Sequence, residues 1–246
     1  MKNKIKWLAA FMLLSLLMIV SGALIGGMNL KNKEISPVSV EKTERKIDVI
    51  IDAGHGGEDG GCIGLDGTLE KDLNLSVATE ICCILQASGV NAVLSRSDDT
   101  MLYDMYDDLS DYSNVKKTYD LRNRVRFAKE SECTLFVSIH MNKFSDAKYS
   151  GLQVYYSANH SDSITAALRV QSYVKEYLQP ENDREIKRAG SNIYILHRSQ
   201  MPAVLVECGF LSNKEELEML KDEKYQSKLS LSIAASIMDS ISNFQS

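Results

Sequence analysis

The sequence predicts a single α/β domain, a mostly parallel twisted sheet with helices on both faces, behind an N-terminal membrane segment. Three observations carry this reading. From residue 47 onward, short apolar runs alternate with longer stretches of helical spacing. Before that, an uncharged run from Trp7 to Met28 follows three lysines. The composition, 44% hydrophobic and 25% charged with 3 prolines, is that of an ordinary globular chain.

Lys2, Lys4 and Lys6 precede the apolar run, whose length as a helix, roughly 33 Å, is enough for the hydrocarbon core. The lysines hold that end in the cytoplasm and send the rest outside. Ser21-Gly22-Ala23 is a plausible small-residue cleavage site, so residues 1–30 read as a signal peptide or a signal anchor. Residues 31–45 are polar, contain a proline and keep no period, as a tether does. Residues 46–246 are the expected globular domain.

Ile47 to Asp52 reads as a buried strand ending in glycines. From Glu70, the residues Leu73, Val77, Ile81, Ile84 and Leu85 recur at helical spacing until Gly89 stops them. Ala92–Leu94 is a second strand, Leu121, Val125 and Ala128 mark a helix, and Leu135–Ile139 is a third strand. Leu152–Tyr156 follows as a strand, then a helix marked by Ile164, Leu168, Val174 and Leu178. Ile193–Leu196 and Ala203–Val206 read as strands, and two helices close the chain near 214–221 and 225–243. Residues 97–118, with six aspartates and three tyrosines, break the rhythm; they form either a substrate rim or a solvated acidic insertion.

Beyond residue 30 the chain holds 33 acidic against 25 basic residues. That balance excludes a protein that tracks nucleic-acid phosphates. Five cysteines, an odd number that includes the adjacent pair Cys82-Cys83, do not form a disulfide framework. Cys62, Cys82, Cys83, Cys133 and Cys208 are expected as mostly buried free thiols.

The chemistry gathers at the carboxyl ends of the predicted strands, where open α/β sheets place their sites. His55 lies just past the first strand, His140 at the end of the third, and Glu207 after Ala203–Val206. A buried strand-end glutamate needs a partner or a task. Seven of the 14 glycines fall within residues 54–67. No Gly-Lys-Ser/Thr follows them, and the third glycine of a dinucleotide fingerprint would fall on Asp59, so nucleotide binding fails on spacing. Such a side-chain-poor loop lets His55 and Glu70 reach a common point, although Glu70 also suits a helix N-terminus electrostatically. Two histidines and a carboxylate are the ligand set of a catalytic zinc with an open position for water. Glu207 is then the carboxylate available for proton transfer. A cysteine nucleophile, Cys208 or Cys62 beside a histidine, is the chemical rival; Cys208 and Glu207, adjacent on a strand, should face opposite ways.

Four stretches carry a resemblance. They are Ile51-Asp52-Ala53-Gly54-His55-Gly56-Gly57, Gly64-Leu65-Asp66-Gly67-Thr68-Leu69-Glu70-Lys71-Asp72, Ser138-Ile139-His140-Met141-Asn142, and the run Pro202 to Asn213 (PAVLVECGFLSN). In this order they resemble the zinc-dependent N-acetylmuramoyl-L-alanine amidases over about residues 46–243. The resemblance implies one zinc per chain on His55, Glu70 and His140, with Glu207 catalytic. It also implies cleavage of the amide joining the lactyl group of N-acetylmuramic acid to L-alanine in peptidoglycan. Ala53, Met141 and Cys208 stand where proline, alanine and valine are common in the family. Within the family the chain is most like the germination-specific, spore-cortex type, through its single domain, membrane segment, short tether, Tyr119–Val125 and Tyr149-Ser150-Gly151. That type removes stem peptides on the way to muramic-δ-lactam.

Arg124 resembles a family arginine that buttresses the site or contacts substrate, or else forms a surface salt bridge. Asn142 is a second substrate-binding candidate, or merely shapes a turn. His160 reads as solvated, and His197 as ending a strand near the site. The implied partners are peptidoglycan and, if residues 7–28 stay uncleaved, a membrane; no nucleic acid is expected, and an activating protein is compatible with the sequence. The implied location is outside the cytoplasm, in the forespore or cortex space. Two readings stand against this one: a catalytically silent peptidoglycan-binding module, and an exported zinc deacetylase acting on glycan.

Overall fold

Alternating apolar runs build one six-stranded sheet in the computed structural model, which describes residues 46–244. The expected membrane segment and tether lie outside the described residues. No helix among the described residues is long and apolar enough to cross a membrane.

The strands are β1 (Val49–Ala53), β2 (Ala92–Leu94), β3 (Leu135–Asn142), β4 (Gln153–Tyr156), β5 (Lys187–Arg188) and β6 (Ala203–Phe210), in the order β2-β1-β3-β6-β4-β5. The helices are α1 (Glu70–Ala87), α2 (Lys116–Glu130), α3 (Asp162–Tyr177), α4 (Tyr194–Arg198), α5 (Lys214–Lys221) and α6 (Glu223–Phe244). β2, β1, β3 and β6 run parallel, while β4 lies antiparallel to β6. The connector from β3 to β4, residues 143–152, contains no crossover helix, so β4 returns down the sheet instead of repeating the βα rhythm.

Strand periodicity divides the core in two. Val49, Ile51, Val137, Ile139, Val204 and Val206 face a large cluster built with α1, α3, α5 and α6. Ile50, Phe136, Ala203 and Leu205 face a smaller one closed by Ala128 of α2 and by Ile195 and Leu196 of α4. The expected strand at Ile193–Leu196 is instead the first part of α4, with His197 N–H bonded to the Ile193 carbonyl. Four apolar residues are too few to show a period. The edge of the sheet beside β4 is already taken by β5, a two-residue strand (Lys187–Arg188) with no apolar signal.

Under the smaller face lies a buried ion cluster. Asp52 is fully buried, Arg124 is 1% exposed and Asp120 is 2% exposed. Arg124 Nη1 bonds Asp52 Oδ1 at 2.5 Å, and its Nε bonds Asp120 Oδ2 at 2.8 Å. The Ser138 hydroxyl donates to the other Asp52 oxygen. Burial alone would push the Asp52 carboxyl up, but Arg124 and Ser138 outweigh it and hold the group below its ordinary value.

Removing Arg124 leaves two buried carboxylates uncompensated. Arg124→Met should cost about 3–5 kcal/mol of stability at pH 7, read by denaturant unfolding. In the native chain, the Asp52 contribution is present above the ordinary carboxyl range and lost as pH falls through the lowered value. In the variant, burial favours the protonated acid, so the deficit should narrow as the pH is taken down toward about 4. A deficit that is small at pH 7 or independent of pH would contradict this account.

Candidate active site and metal centre

The loop after β1 carries the first site residue in a conformation that side chains rarely adopt. His55 has φ +62°, and neighbouring carbonyls are gripped from below. Arg124 Nη1 donates to the Ala53 carbonyl at 2.8 Å and its Nη2 to the His55 carbonyl at 2.7 Å. Arg96 donates to the Ala53 and Gly54 carbonyls at 2.9 and 3.1 Å, and Asn74 Nδ2 also donates to Gly54 at 3.1 Å. Gly54 must be glycine, because a Cβ there would stand 2.3 Å from the His140 ring. Gly61, at φ +70°, passes so close that a Cβ would lie 2.6 Å from Glu70 Oε2.

Three ligand atoms meet above this loop. Glu70 Oε1 lies 3.3 Å from His55 Nε2 and 2.9 Å from His140 Nδ1, and a ligand atom from each of the three lies within 4.8 Å of the others. Among the described residues this is the one such group of histidine, cysteine or carboxylate donors. Glu70 comes from the first turn of α1 and receives the Cys62 and Met141 backbone N–H groups at 2.7 and 3.1 Å. Burial works against its charge, yet hydrogen bonds from His140 and His55 outweigh it and hold the carboxyl well below its ordinary value. His55 is pushed up to about 9: burial alone would lower it, but Asp59 and Glu70 favour the cation more strongly. Two imidazoles converging on one carboxylate oxygen are the donor set a divalent cation requires, and Asp59 Oδ2 holds His55 Nδ1 at 2.9 Å on the far side of the ring. These residues fit zinc.

Glu207 stands beside this cluster through sheet register. It pairs with His140 across β3 and β6 and with Gln153 across β6 and β4. Both His140 and Glu207 sit within strands that continue to Asn142 and Phe210, with a bulge between His140 and Asn142, rather than at strand ends as the sequence suggests. Strand alternation turns Glu207 toward the site face and Cys208 into the large core. The Glu207 Oε2 atom is buried and has no hydrogen-bond partner among the described residues. Burial, reinforced by the neighbouring Glu70 charge and opposed by His140 and His55, pushes its carboxyl up to about 7.

The remaining sequence candidates separate. Arg124 is buried with its guanidinium committed to Asp52, Asp120 and two loop carbonyls, so it supports the site from beneath and presents no face to a substrate. Asn142 ends β3, partly exposed, with its backbone carbonyl bonded to Leu211. His160 accepts from the Asp162 N–H at the start of α3, and His197 is exposed on α4. All five cysteines are free; Cys82, Cys133 and Cys208 are buried, Cys62 is half-buried and Cys83 is exposed, contrary to its expected burial. Burial pushes the Cys62 and Cys208 thiols far up, which disfavours a thiolate nucleophile.

Sequence reasoning passed over Asp59, Asn74 and Arg96. Asp59 lies in the glycine-rich loop four residues after His55, where the sequence marks it only as the residue that breaks a nucleotide fingerprint. Residues 97–118 also do more than expected of a solvated insertion. Asp99 accepts from the Gly57 N–H at 2.7 Å and pairs with Lys71 at 2.7 Å, while Leu102 N–H bonds Asp120 at 2.6 Å. This segment braces the histidine loop.

The family described as N-acetylmuramoyl-L-alanine amidase matches residues 49–239. The chain belongs to this family. It is an amidase of peptidoglycan and therefore works outside the cytoplasm. It is 34% identical over 97% of its length to the germination-specific N-acetylmuramoyl-L-alanine amidase of Bacillus subtilis, covering 95% of that protein. The CwlD amidase of Clostridioides difficile, solved in complex with the GerS lipoprotein, superposes with TM-score 0.73 at 36% identity, over 80% of this chain and 98% of that one. The amidase AmiC2 of Nostoc punctiforme superposes with TM-score 0.67 at 31% identity, over 82% and 99%.

Asp59 holds the far side of the His55 ring without joining the group of metal donors. Asp59→Asn should weaken zinc affinity by about 10–100-fold while leaving the fold intact, measured by competition with a chromophoric chelator. His55→Ala and His140→Ala should bind no stoichiometric zinc, since three protein ligands are the minimum for a catalytic site. Full occupancy in His140→Ala would sink the ligand assignment.

Proposed function

We propose that this amidase is zinc-dependent, with His55, Glu70 and His140 holding one ion and Glu207 moving the protons. The observation that carries the reading is the unpartnered Oε2 of Glu207, a buried carboxylate oxygen beside three converging metal donors. Zinc, when bound, supplies an activated water and polarises the carbonyl of the muramoyl–L-alanine amide. Glu207 accepts a proton at its carboxylate as the water adds to the carbonyl carbon, and returns it to the amide nitrogen as the C–N bond breaks. The products are the lactyl carboxylate on the glycan and a peptide with a free L-alanine amino group. Burial favours the protonated form of this carboxyl, which suits a group that must take up a proton and deliver it again. Asp59 holds the His55 ring by its Nδ1, and the absence of a side chain at Gly54 leaves room for the His140 ring.

Spore cortex is the proposed substrate, supported by the likeness to the germination-specific enzyme along nearly the whole chain. Residues 46–246 are the proposed catalytic unit, 31–45 a tether and 1–30 a signal peptide or anchor. The complex of the Clostridioides relative with a lipoprotein supports a protein partner for this chain as well. Neither a silent binding module nor a glycan deacetylase is favoured by any feature of the site.

Glu207→Gln keeps the shape but cannot take a proton. The variant should stay folded and zinc-loaded, and should release stem peptides about 10²–10⁴-fold more slowly. The readout is amino-terminal labelling of L-alanine after digestion of cortex fragments. Native rates from the variant would remove Glu207 from the mechanism.

A further inference from the structure

A cavity of about 220 Å³ opens between α2 and α4, and the amidase site does not use it. Arg122, Arg126 and Lys129 reach it from α2, and Arg198 from α4 beside Tyr194. No acidic side chain lines it. Arg126 is neutralised from outside the cavity, by Glu130 at 2.8 Å and Asp108 at 3.5 Å, and Lys129 shares the field of Glu130. Arg122 and Arg198 are exposed and have no carboxylate partner among the described residues. Each lies instead over a tyrosine, Arg122 at 5.2 Å from the centre of the Tyr119 ring and Arg198 at 5.8 Å from that of Tyr194. Two uncompensated guanidinium groups on facing helices repel each other and jointly attract an oxyanion. They do so in a chain with 33 acidic against 25 basic residues beyond residue 30.

The cavity sits away from the chemistry, at the edge where the parallel strands begin. Beyond the end of β4, Asn159 donates to the His197 and Ser199 carbonyls at 2.9 Å, whereas the first residue of β4, Gln153, is the one that pairs with Glu207. The Asp48 carbonyl accepts the Thr134 and Leu135 N–H groups at 3.1 Å, just after α2 ends. The chain therefore enters the domain, at residue 46, beside the end of the helix that carries Lys129. Residues 31–45, even fully extended, span about 50 Å. A membrane segment ahead of them would keep this cavity at a high effective concentration near lipid headgroups, so a weak cation site suffices.

We propose that Arg122 and Arg198 dock the domain on a bilayer of anionic phospholipid, by binding headgroup phosphate in the cavity between α2 and α4. Docking at this edge leaves the carboxyl ends of the strands, with His55, His140 and Glu207, turned to the wall. The inference rests on residues 1–30 forming a membrane segment.

The test uses the full chain with vesicles of phosphatidylcholine and with vesicles of an equimolar mixture with phosphatidylglycerol. Flotation with the neutral vesicles reports the membrane segment by itself. Phenylglyoxal modification of each arginine, mapped by mass spectrometry, reports docking. Arg122 and Arg198 should react about 10-fold more slowly on the anionic vesicles than on the neutral ones. Arg184, which bonds Gln153 at the other end of the sheet, should react equally on both. The difference should vanish at about 1 M salt, where the screening length is about 3 Å. Arg198→Gln removes one charge outside the catalytic machinery; it should reduce the protection of Arg122 by about 5-fold and leave peptide release unchanged. Equal reactivity of native Arg122 and Arg198 on both vesicle types would overturn the proposal, whether or not the chain floats with the neutral vesicles. Equal protection by inorganic phosphate on neutral vesicles would also overturn it, showing a site for free anions.

Discussion

The grip of two buried arginines on the carbonyls of residues 53–55 is the constraint from which the site follows. Arg124 and Arg96 together engage Ala53, Gly54 and His55 as the chain leaves β1. Without that grip, a side-chain-poor loop would have no reason to hold His55 at a positive φ. The grip is itself anchored, because Arg124 is bound to Asp52 on β1 and Asp120 on its own helix, and Asp52 is bonded to Ser138 on β3. A charge cluster costly to bury is therefore tied to the two strands that deliver His55 and His140. Fold stability and site geometry depend on the same few bonds.

Two carboxylates at the site are driven in opposite directions by their surroundings. Glu70 accepts bonds from two histidines and two backbone N–H groups, which favour its charged form. Glu207 has no donor for its buried Oε2 and is raised. The same residue type is thus driven two ways by its surroundings, at the start of a helix and on the sheet, which is the division of labour that the proposed metal-holding and proton-carrying roles require.

Much of this is legible in the sequence. Periodicity placed β1, α1, α2, β3 and the two final helices, because long amphipathic segments and buried β-branched runs declare themselves. His55, His140 and Glu207 stand out as titratable residues where apolar runs end, and Glu70 as a carboxylate opening the helix after the glycine-rich loop. What stayed hidden was pairwise. Asp59, Arg96 and Asn74 act through contacts that loop closure alone decides. Arg124 carries a charge whose place the sequence leaves open between buttress, substrate contact and surface salt bridge; its two aspartate partners, one of them 72 residues away, take it into the core. The short helix at Tyr194–Arg198 reads as a strand because four apolar residues carry no period, and β4 reverses because its connector has no crossover helix.

The central claim is that one metal is held by two imidazoles and one carboxylate on a loop that the arginines fix. X-ray absorption at the zinc edge of the loaded enzyme tests it most directly. The account predicts a first shell of nitrogen and oxygen only, at about 2.0–2.2 Å, with imidazole scattering beyond it. A sulfur shell near about 2.3 Å would bring a cysteine such as Cys62 into the site and contradict the arrangement.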